Sequence, residues 1–237
     1  MTAVLVAIVI LAIVGGIGAL IWSAKRREKR RKELAGWARL NGLRFLPDDD
    51  HSIGFRYDLF QPLQRGDNRY AYNIMEGFSG KYVVCGFDYH YQTYSSGGKG
   101  GRRTHHHRFS AVIVDAGLPL KPLSIRPEGF LDKVTEFLGF DDIDFESAEF
   151  SRRFFVKSPD RRWAYDVLHQ KTMELLLAYP RFSLDFQGSR VMAFYDNRKF
   201  SLGEFGSALK VVTSILDDLP ESVVRELKGI DSRGRLS

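Results

Sequence analysis

The feature that most constrains this chain is a charge-free apolar segment near its start, residues 3–22, which is followed closely by a run of charged residues at 25–32. A helix of about 20 residues rises roughly 30 Å, the thickness of the hydrocarbon core of a bilayer. We therefore predict a transmembrane anchor over residues 1–24. A cleaved signal peptide is the alternative, but no Lys or Arg precedes the apolar run, and Trp22 stands where a cleavage site needs a small residue.

The charged run sets the orientation that we predict. Seven of the eight residues at 25–32 are basic, and basic flanks of membrane spans stay on the cytoplasmic side. We expect a single-pass protein of the cell inner (plasma) membrane, with its N-terminus outside and its C-terminal domain in the cytoplasm. Basic side chains next to a span also predict contact with lipid headgroups, and these are Lys25, Arg26, Arg27, Lys29, Arg30, Arg31 and Lys32.

The net charge of +6 comes entirely from this run, because 28 basic and 28 acidic side chains remain outside it. The charge balance therefore does not indicate a nucleic-acid partner. The single cysteine, Cys85, excludes an intramolecular disulfide. It lies in an apolar run with no basic neighbour to lower its pKa, so we interpret it as a buried structural thiol rather than a nucleophile.

Small residues in the apolar segment give a further prediction. Ala12 and Gly16, and likewise Gly15 and Ala19, are four positions apart, a spacing that lets two membrane helices pack closely. The segment is thus compatible with a homodimer.

The rest of the chain divides by composition. We predict a basic juxtamembrane stalk helix over residues 25–42, since Leu34, Trp37 and Ala38 have helical spacing and Asn41-Gly42 is a stop signal. A cytosolic α+β domain follows over 43–228, with halves 43–140 and 141–228 as an alternative division, and then a disordered tail at 229–237.

Alternation of residue types predicts a hairpin from strands at 70–78 and 81–94, joined by the turn Ser79-Gly80. Further strands are expected at 109–115, 150–156, 181–186 and 190–195, and helices at 127–138, 158–178, 202–216 and 221–227. Residues 95–108 are expected to form a mobile loop. Hairpins interleaved with helices favour an α+β fold, with a mainly antiparallel sheet packed against helices.

The basic segment 102–108, with its three consecutive histidines, is the first place to look for chemistry. Only His105 and His107 share a face of an extended chain, and Asp88 and His90 on the neighbouring strand could complete a metal or acid–base site. No second His or Cys pair has zinc-ligand spacing, so we predict no metal, no cofactor and no catalytic residue.

Two acidic segments, 48–51 and 141–146, could ligate a divalent cation, but both lack the spacing of a calcium loop and are interpreted as solvated connections. The glycine-rich stretch around Lys99 lacks the Ser or Thr and the helix of a phosphate-binding loop.

Four short motifs together resemble a bacterial family of small, membrane-anchored proteins without an assigned activity. The motifs are Gly42-Leu43-Arg44-Phe45, Phe87-Asp88-Tyr89-His90-Tyr91, Ser124-Ile125-Arg126-Pro127-Glu128 after Leu118-Pro119, and Asp142-Ile143-Asp144-Phe145-Glu146 before Glu149-Phe150-Ser151-Arg152-Arg153-Phe154. The resemblance covers most of residues 33–200 and implies a bacterial inner-membrane protein, with no catalytic residues to carry over.

Two functions are compatible with these observations. The first is a non-enzymatic binding or scaffold module, tethered at the inner leaflet, that binds a protein partner. The alternative is a membrane-associated hydrolase or transferase that uses Asp88, His90, His105 and His107 as acid–base or metal-binding groups.

Overall fold

The computed structural model describes residues 2–96, 101–128 and 143–234, with side chains described at 10, 11 and from 13 to 229 within those ranges. The helices are α1 (Thr2–Leu40), α2 (Ile53–Arg56), α3 (Ala148–Ser151), α4 (Arg161–Val167), α5 (Gln170–Ala178), α6 (Leu202–Asp217) and α7 (Glu221–Gly234), with a 3₁₀ turn at Gln61–Leu63. The strands are β1 (Arg44–Leu46), β2 (Asp67–Ser79), β3 (Tyr82–Ser96), β4 (Arg102–Asp115), β5 (Leu123–Pro127), β6 (Phe154–Lys157), β7 (Ser183–Gln187) and β8 (Arg190–Phe194).

The eight strands form one antiparallel sheet in the order β1-β2-β3-β4-β8-β7-β5-β6. The expected α+β class with a mainly antiparallel sheet is therefore confirmed. Strand β4 pairs with β8 through Ala111–Phe194 to Asp115–Arg190, which joins strands from both of the predicted halves into a single sheet.

Each face of the sheet carries its own hydrophobic cluster because side chains alternate along every strand. One face, which we call the helix-covered face, includes Val84 and Val112 and packs with α1, α4, α5, α6 and α7. The opposite face, which we call the loop-covered face, includes Phe87 and Phe109 and is covered by Ile53, Phe60 and Leu63 from the connection between β1 and β2.

Helix α1 contributes its last turns to the core of the domain. Leu34 and Ala38 are fully buried, and the Trp37 ring lies 6.2 Å from the ring of Phe205 on α6. The helix ends where Asn41-Gly42 predicts, since Gly42 has a φ of +69°, a left-handed conformation that costs glycine little. The predicted stalk is thus, in its second half, a packed element of the sheet's cover.

The predicted transmembrane anchor is wrong. No helix in the described part of the chain has an apolar stretch long enough to cross a membrane. Crossing the hydrocarbon core takes about 20 consecutive apolar residues in one helix. The inner-membrane localisation and the outward N-terminus, which rested on that anchor, are corrected with it.

Several element boundaries also differ from expectation. Residues 102–108 belong to strand β4 rather than to a loop. The helix expected over 158–178 is two helices, α4 and α5, and Asp160 is the N-cap of α4. Residues 148–151 form α3, capped by Ser147, so the next strand begins only at Phe154.

Other predictions are met by the structure or lie beyond its description. The hairpin of β2 and β3 turns at Gly80, and β7 and β8 turn at Gly188, both with positive φ. Helix α7 continues to Gly234, so part of the predicted disordered tail is helical. Most of the expected helix at 127–138, residues 97–100 and residues 235–237 lie outside the described residues.

Candidate functional site

Strands β3 and β4 form a long two-stranded ribbon whose far half, residues 88–96 and 102–110, extends past the end of β8. The alternation of side chains along the two strands determines which of the predicted site residues lie on the same face. His105 shares a 2.7 Å hydrogen bond with Ser95 Oγ, and His107 does the same with Thr93 Oγ1 on the loop-covered face. Asp88 and His90 occupy the opposite face, so the four residues of the catalytic alternative are not brought together.

The described residues contain no group of three or more His, Cys, Asp or Glu side chains that could hold a metal ion. In the acidic segment 48–51, Asp50 Oδ1 accepts hydrogen bonds from the backbone N–H and the hydroxyl of Ser52. Asp141 and Asp142 lie outside the described residues.

Asp88 is the centre of a buried polar cluster on the helix-covered face, and its side chain is 0% exposed. Arg30 donates to both carboxylate oxygens, from Nη2 to Oδ1 at 2.6 Å and from Nε to Oδ2 at 2.8 Å. Ser110 Oγ donates to Oδ1 at 2.6 Å and Asn73 Nδ2 donates to Oδ2 at 3.1 Å. A buried carboxylate is tolerable only when paired and hydrogen-bonded in this way.

A bulge in β2 delivers the Asn73 amide to this cluster. The pairing of β2 with β3 shifts between Tyr72 and Met75, and Asn73 has a φ of +53°. Asparagine tolerates this left-handed conformation better than most residues, and a bulge redirects side chains on the strand that carries it.

The same cluster joins α1 to the segment before α6. Arg30 Nη1 donates to the carbonyl oxygen of Phe200 at 2.9 Å, and the Phe200 N–H donates to Ser110 Oγ at 2.9 Å. Burial lowers the pKa of Arg30, but the hydrogen bonds and charge of Asp88 outweigh it and leave that pKa raised. Arg30, predicted as a lipid-headgroup contact, is therefore an internal partner of the sheet, whereas the other six basic residues of the run are exposed.

His90 lies one pleat beyond Asp88 in an aromatic setting. Its Nε2 is 3.1 Å from His106 Nδ1, its Nδ1 is 3.2 Å from the Asn68 carbonyl oxygen, and its ring centroid is 4.6 Å from that of Tyr70. Burial lowers the pKa of His90, and the nearby charges of Arg108 and His106 lower it further. His90 is thus held in its neutral form more firmly than a free imidazole.

The sequence patterns did not single out three residues that the structure places around Asp88: Asn73, Ser110 and Lys199. If the strand predicted at 109–115 had been extended back to Arg102, the alternation of side chains would have placed Arg108 and Ser110 on the same face. Lys199 comes from a segment distant in sequence, and no local pattern connects it to β3.

Cys85 is buried within the loop-covered cluster. Burial raises the pKa of its thiol to about 12. A thiol that stays protonated at neutral pH is a poor nucleophile, in agreement with the structural role predicted for it.

The outer edge of β4 is the second notable feature of the ribbon. Strand β8 pairs only with residues 111–115, so residues 102–110 have β3 on one side and, within the described part of the chain, no strand on the other. The exposed side chains along this edge are those of Arg102, Arg103, Thr104, His106 and Arg108.

Comparison with known proteins identifies the fold but not a family. No family model matches the sequence, and no curated protein matches it. The resemblance to an uncharacterised bacterial family therefore stays a prediction.

Among solved structures, the chain is similar to the crystal structure of a mycobacterial trehalose monomycolate transport factor A. The TM-score is 0.55 at 10% sequence identity, over 80% of this chain and 96% of that one. At this level of identity, the likeness shows a shared fold.

Proposed function

We propose that this protein is a non-enzymatic binding or scaffold module that captures an extended acidic segment of a protein partner along the open edge of β4. The observation that carries the proposal is the edge at residues 102–110, beside which no further strand lies in the part of the chain that the structure describes. An exposed strand edge presents a row of backbone N–H and C=O groups, and an extended peptide can pair with them as an additional strand.

The positive charge of this edge favours an acidic partner. Residues 102–108 contain three arginines and three histidines and no acidic residue. Opposite charges on neighbouring strands stabilise the pairing, and like charges destabilise it. An incoming strand rich in Asp or Glu would place its carboxylates beside these cations.

A second copy of this chain is a poor occupant of the same edge. Antiparallel pairing of two β4 strands about His105 would set Arg102 of one copy opposite Arg108 of the other, and Arg103 opposite His107. The two Arg102–Arg108 pairs oppose cation to cation, which disfavours self-association through the edge. The acidic partner is therefore a different protein.

The structural neighbour is consistent with a binding role only in a general sense. Its name describes a transport factor for trehalose monomycolate, and that substrate is not assigned to this chain. What supports the binding module is the separation of Asp88 and His90 from His105 and His107, together with the open edge.

Site-specific photo-cross-linking in cells tests the proposal. A photoreactive residue placed at Thr104, on the edge, is expected to capture a partner reproducibly, and mass spectrometry is expected to locate the cross-link in an extended acidic segment. The same photoreactive residue at Arg225, an exposed position on α7, serves as the matched control. Equal capture from both positions, or no capture above background from Thr104, would overturn the proposal.

A further inference from the structure

The positive charges around Asp88 outnumber the carboxylates that face them. Asp88 is fully engaged by Arg30, and Lys199 Nζ lies 3.9 Å from Asp88 Oδ2, too far for a hydrogen bond. Arg26, Arg30 and Arg108 all act electrostatically on Lys199. Among the described residues, one buried carboxylate therefore faces four cations: Arg30 and Lys199 are partly buried, and Arg26 and Arg108 are exposed.

The other acidic groups near the cluster are engaged elsewhere. Glu33 acts on Arg30 but pairs with Lys29 at 3.8 Å, one turn back along α1. Asp49 acts on Tyr70 and His90, farther along the ribbon. Asp88 is the carboxylate that acts on Lys199, so Glu33 and Asp49 do not neutralise the local excess of positive charge.

Two donors at this place have no acceptor among the described residues. The Lys199 side chain is only 32% exposed, yet in residues 2–96, 101–128 and 143–234 no acceptor lies within hydrogen-bond distance of its ammonium group. The ammonium sits 5.8 Å from the centre of the Tyr72 ring, and within the same ranges the Tyr72 hydroxyl also makes no hydrogen bond. A bound acceptor would supply hydrogen bonds to both donors.

From this geometry we infer that Arg26, Arg108 and Lys199 form a binding site for a phosphate-bearing small molecule, above the Tyr72 ring and beside the Arg30–Asp88 pair. The three cations match a phosphate better than a carboxylate, because a phosphate group carries up to two negative charges and at least three acceptor oxygens. The site lies on the helix-covered face; it shares the Arg108 side chain with the edge of β4, but it does not use the backbone N–H and C=O groups of that edge.

The state of Lys199 supports this assignment. Burial lowers the pKa of Lys199, and the charges of Arg30, Arg108 and Arg26 lower it further, against the opposing effect of Asp88. A bound anion would reverse part of this shift, because a nearby negative charge favours the protonated amine.

Titration of the full chain with inorganic phosphate and pyrophosphate tests the inference. Each is compared with sodium chloride at equal ionic strength, with the melting temperature and the Lys199 side-chain NMR signal as readouts. Both anions are expected to raise the melting temperature in a saturable way, and the pKa of Lys199 is expected to rise on saturation. A response no larger than that to sodium chloride, with an unmoved Lys199 signal, would overturn the site.

Matched variants locate the effect. Lys199→Gln is expected to weaken phosphate binding about tenfold or more, since it removes a charged donor. Lys210→Gln makes the same change at an exposed position on α6 and is expected to bind as the native chain does. Equal affinities in the two variants would overturn the assignment to Lys199, and the NMR titration of the native chain decides the matter even if Lys199→Gln does not fold.

Discussion

The two ends of the β3–β4 ribbon share one register but differ in what covers them. At the near end, Val84 and Val112 are buried under helices, while Cys85 and Ile113 are buried under the loop before β2. At the far end, Thr104 and His106 are exposed, and the edge of β4 is open. Apolar packing on both faces surrounds the near end, whereas beyond Tyr91 and Phe109 the far end carries mainly charged and hydrogen-bonding side chains.

The Arg30–Asp88 pair marks the boundary between these two regions. It is a buried ion pair that links α1 to the sheet at the point where the apolar cover ends. The comparison therefore predicts large effects on stability at the boundary and the near end, and small effects at the far end.

The largest effect is expected for Asp88→Ala. It leaves Arg30, Ser110 and Asn73 without their acceptor, and breaking a buried ion pair by removing one partner costs about 3–5 kcal/mol. Urea denaturation of the full chain measures this free energy. In a double-mutant cycle with Arg30→Met, the double variant should lose less than the sum of the single variants. A loss below about 1 kcal/mol for Asp88→Ala would show that the pair is not a structural boundary.

Leu34→Ala tests the docking of α1 on the near end. Leu34 is fully buried in the helix-covered cluster, and truncating a buried Leu typically costs about 2–5 kcal/mol. Leu40→Ala, at the exposed end of the same helix, is the control, and it should stay within about 0.5 kcal/mol of the native chain. Similar results for the two variants would mean that α1 does not stabilise the sheet.

A pH effect is expected at the far end. The pKa of His90 is lowered in the folded chain, so the unfolded chain binds more protons just below pH 6.5. Stability should therefore fall as the pH is lowered from about 6.5 toward the folded pKa, with His107 contributing in the same direction.

Thermal melting of native, His90→Gln and His51→Gln chains between about pH 5 and pH 8 measures this effect. The His90 variant should show a flatter dependence, while the His51 variant, altered at an exposed histidine, should follow the native chain. A steeper dependence in the His90 variant would contradict a lowered pKa for His90 in the folded chain.

The smallest effect on stability is expected for Arg103→Glu, at an exposed position on the open edge. The free energy of unfolding should change by no more than about 0.5 kcal/mol. Binding of the cross-linked acidic segment should weaken about 5- to 30-fold, because an attractive cross-strand pair becomes repulsive.

Arg225→Glu carries the same charge change on α7 and should leave binding unaltered. If Arg103→Glu binds as tightly as the Arg225 variant, the edge is not the docking surface.

Local patterns predicted the parts of the fold that depend on neighbouring residues. Alternation along β3 and the turns at Gly80 and Gly188 follow from side-chain periodicity and backbone freedom. The strand character of residues 102–108 was missed because Arg and His have no marked strand preference, and the pairing of this segment with β3 is what makes it extended. Likewise, an apolar run interpreted by hydropathy alone predicted a membrane span that the structure does not support.

By itself, the sequence determined the α+β class, the hairpin of β2 and β3 and the end of α1, because these depend on residues within a few positions of one another. Only the tertiary structure decided the roles of Arg30 and Lys199. Arg30 and Asp88 are 58 positions apart, and Lys199 reaches the same carboxylate from the segment before α6. A contact of this kind depends on how α1, β3 and that segment pack together, and no local pattern of residues encodes that packing.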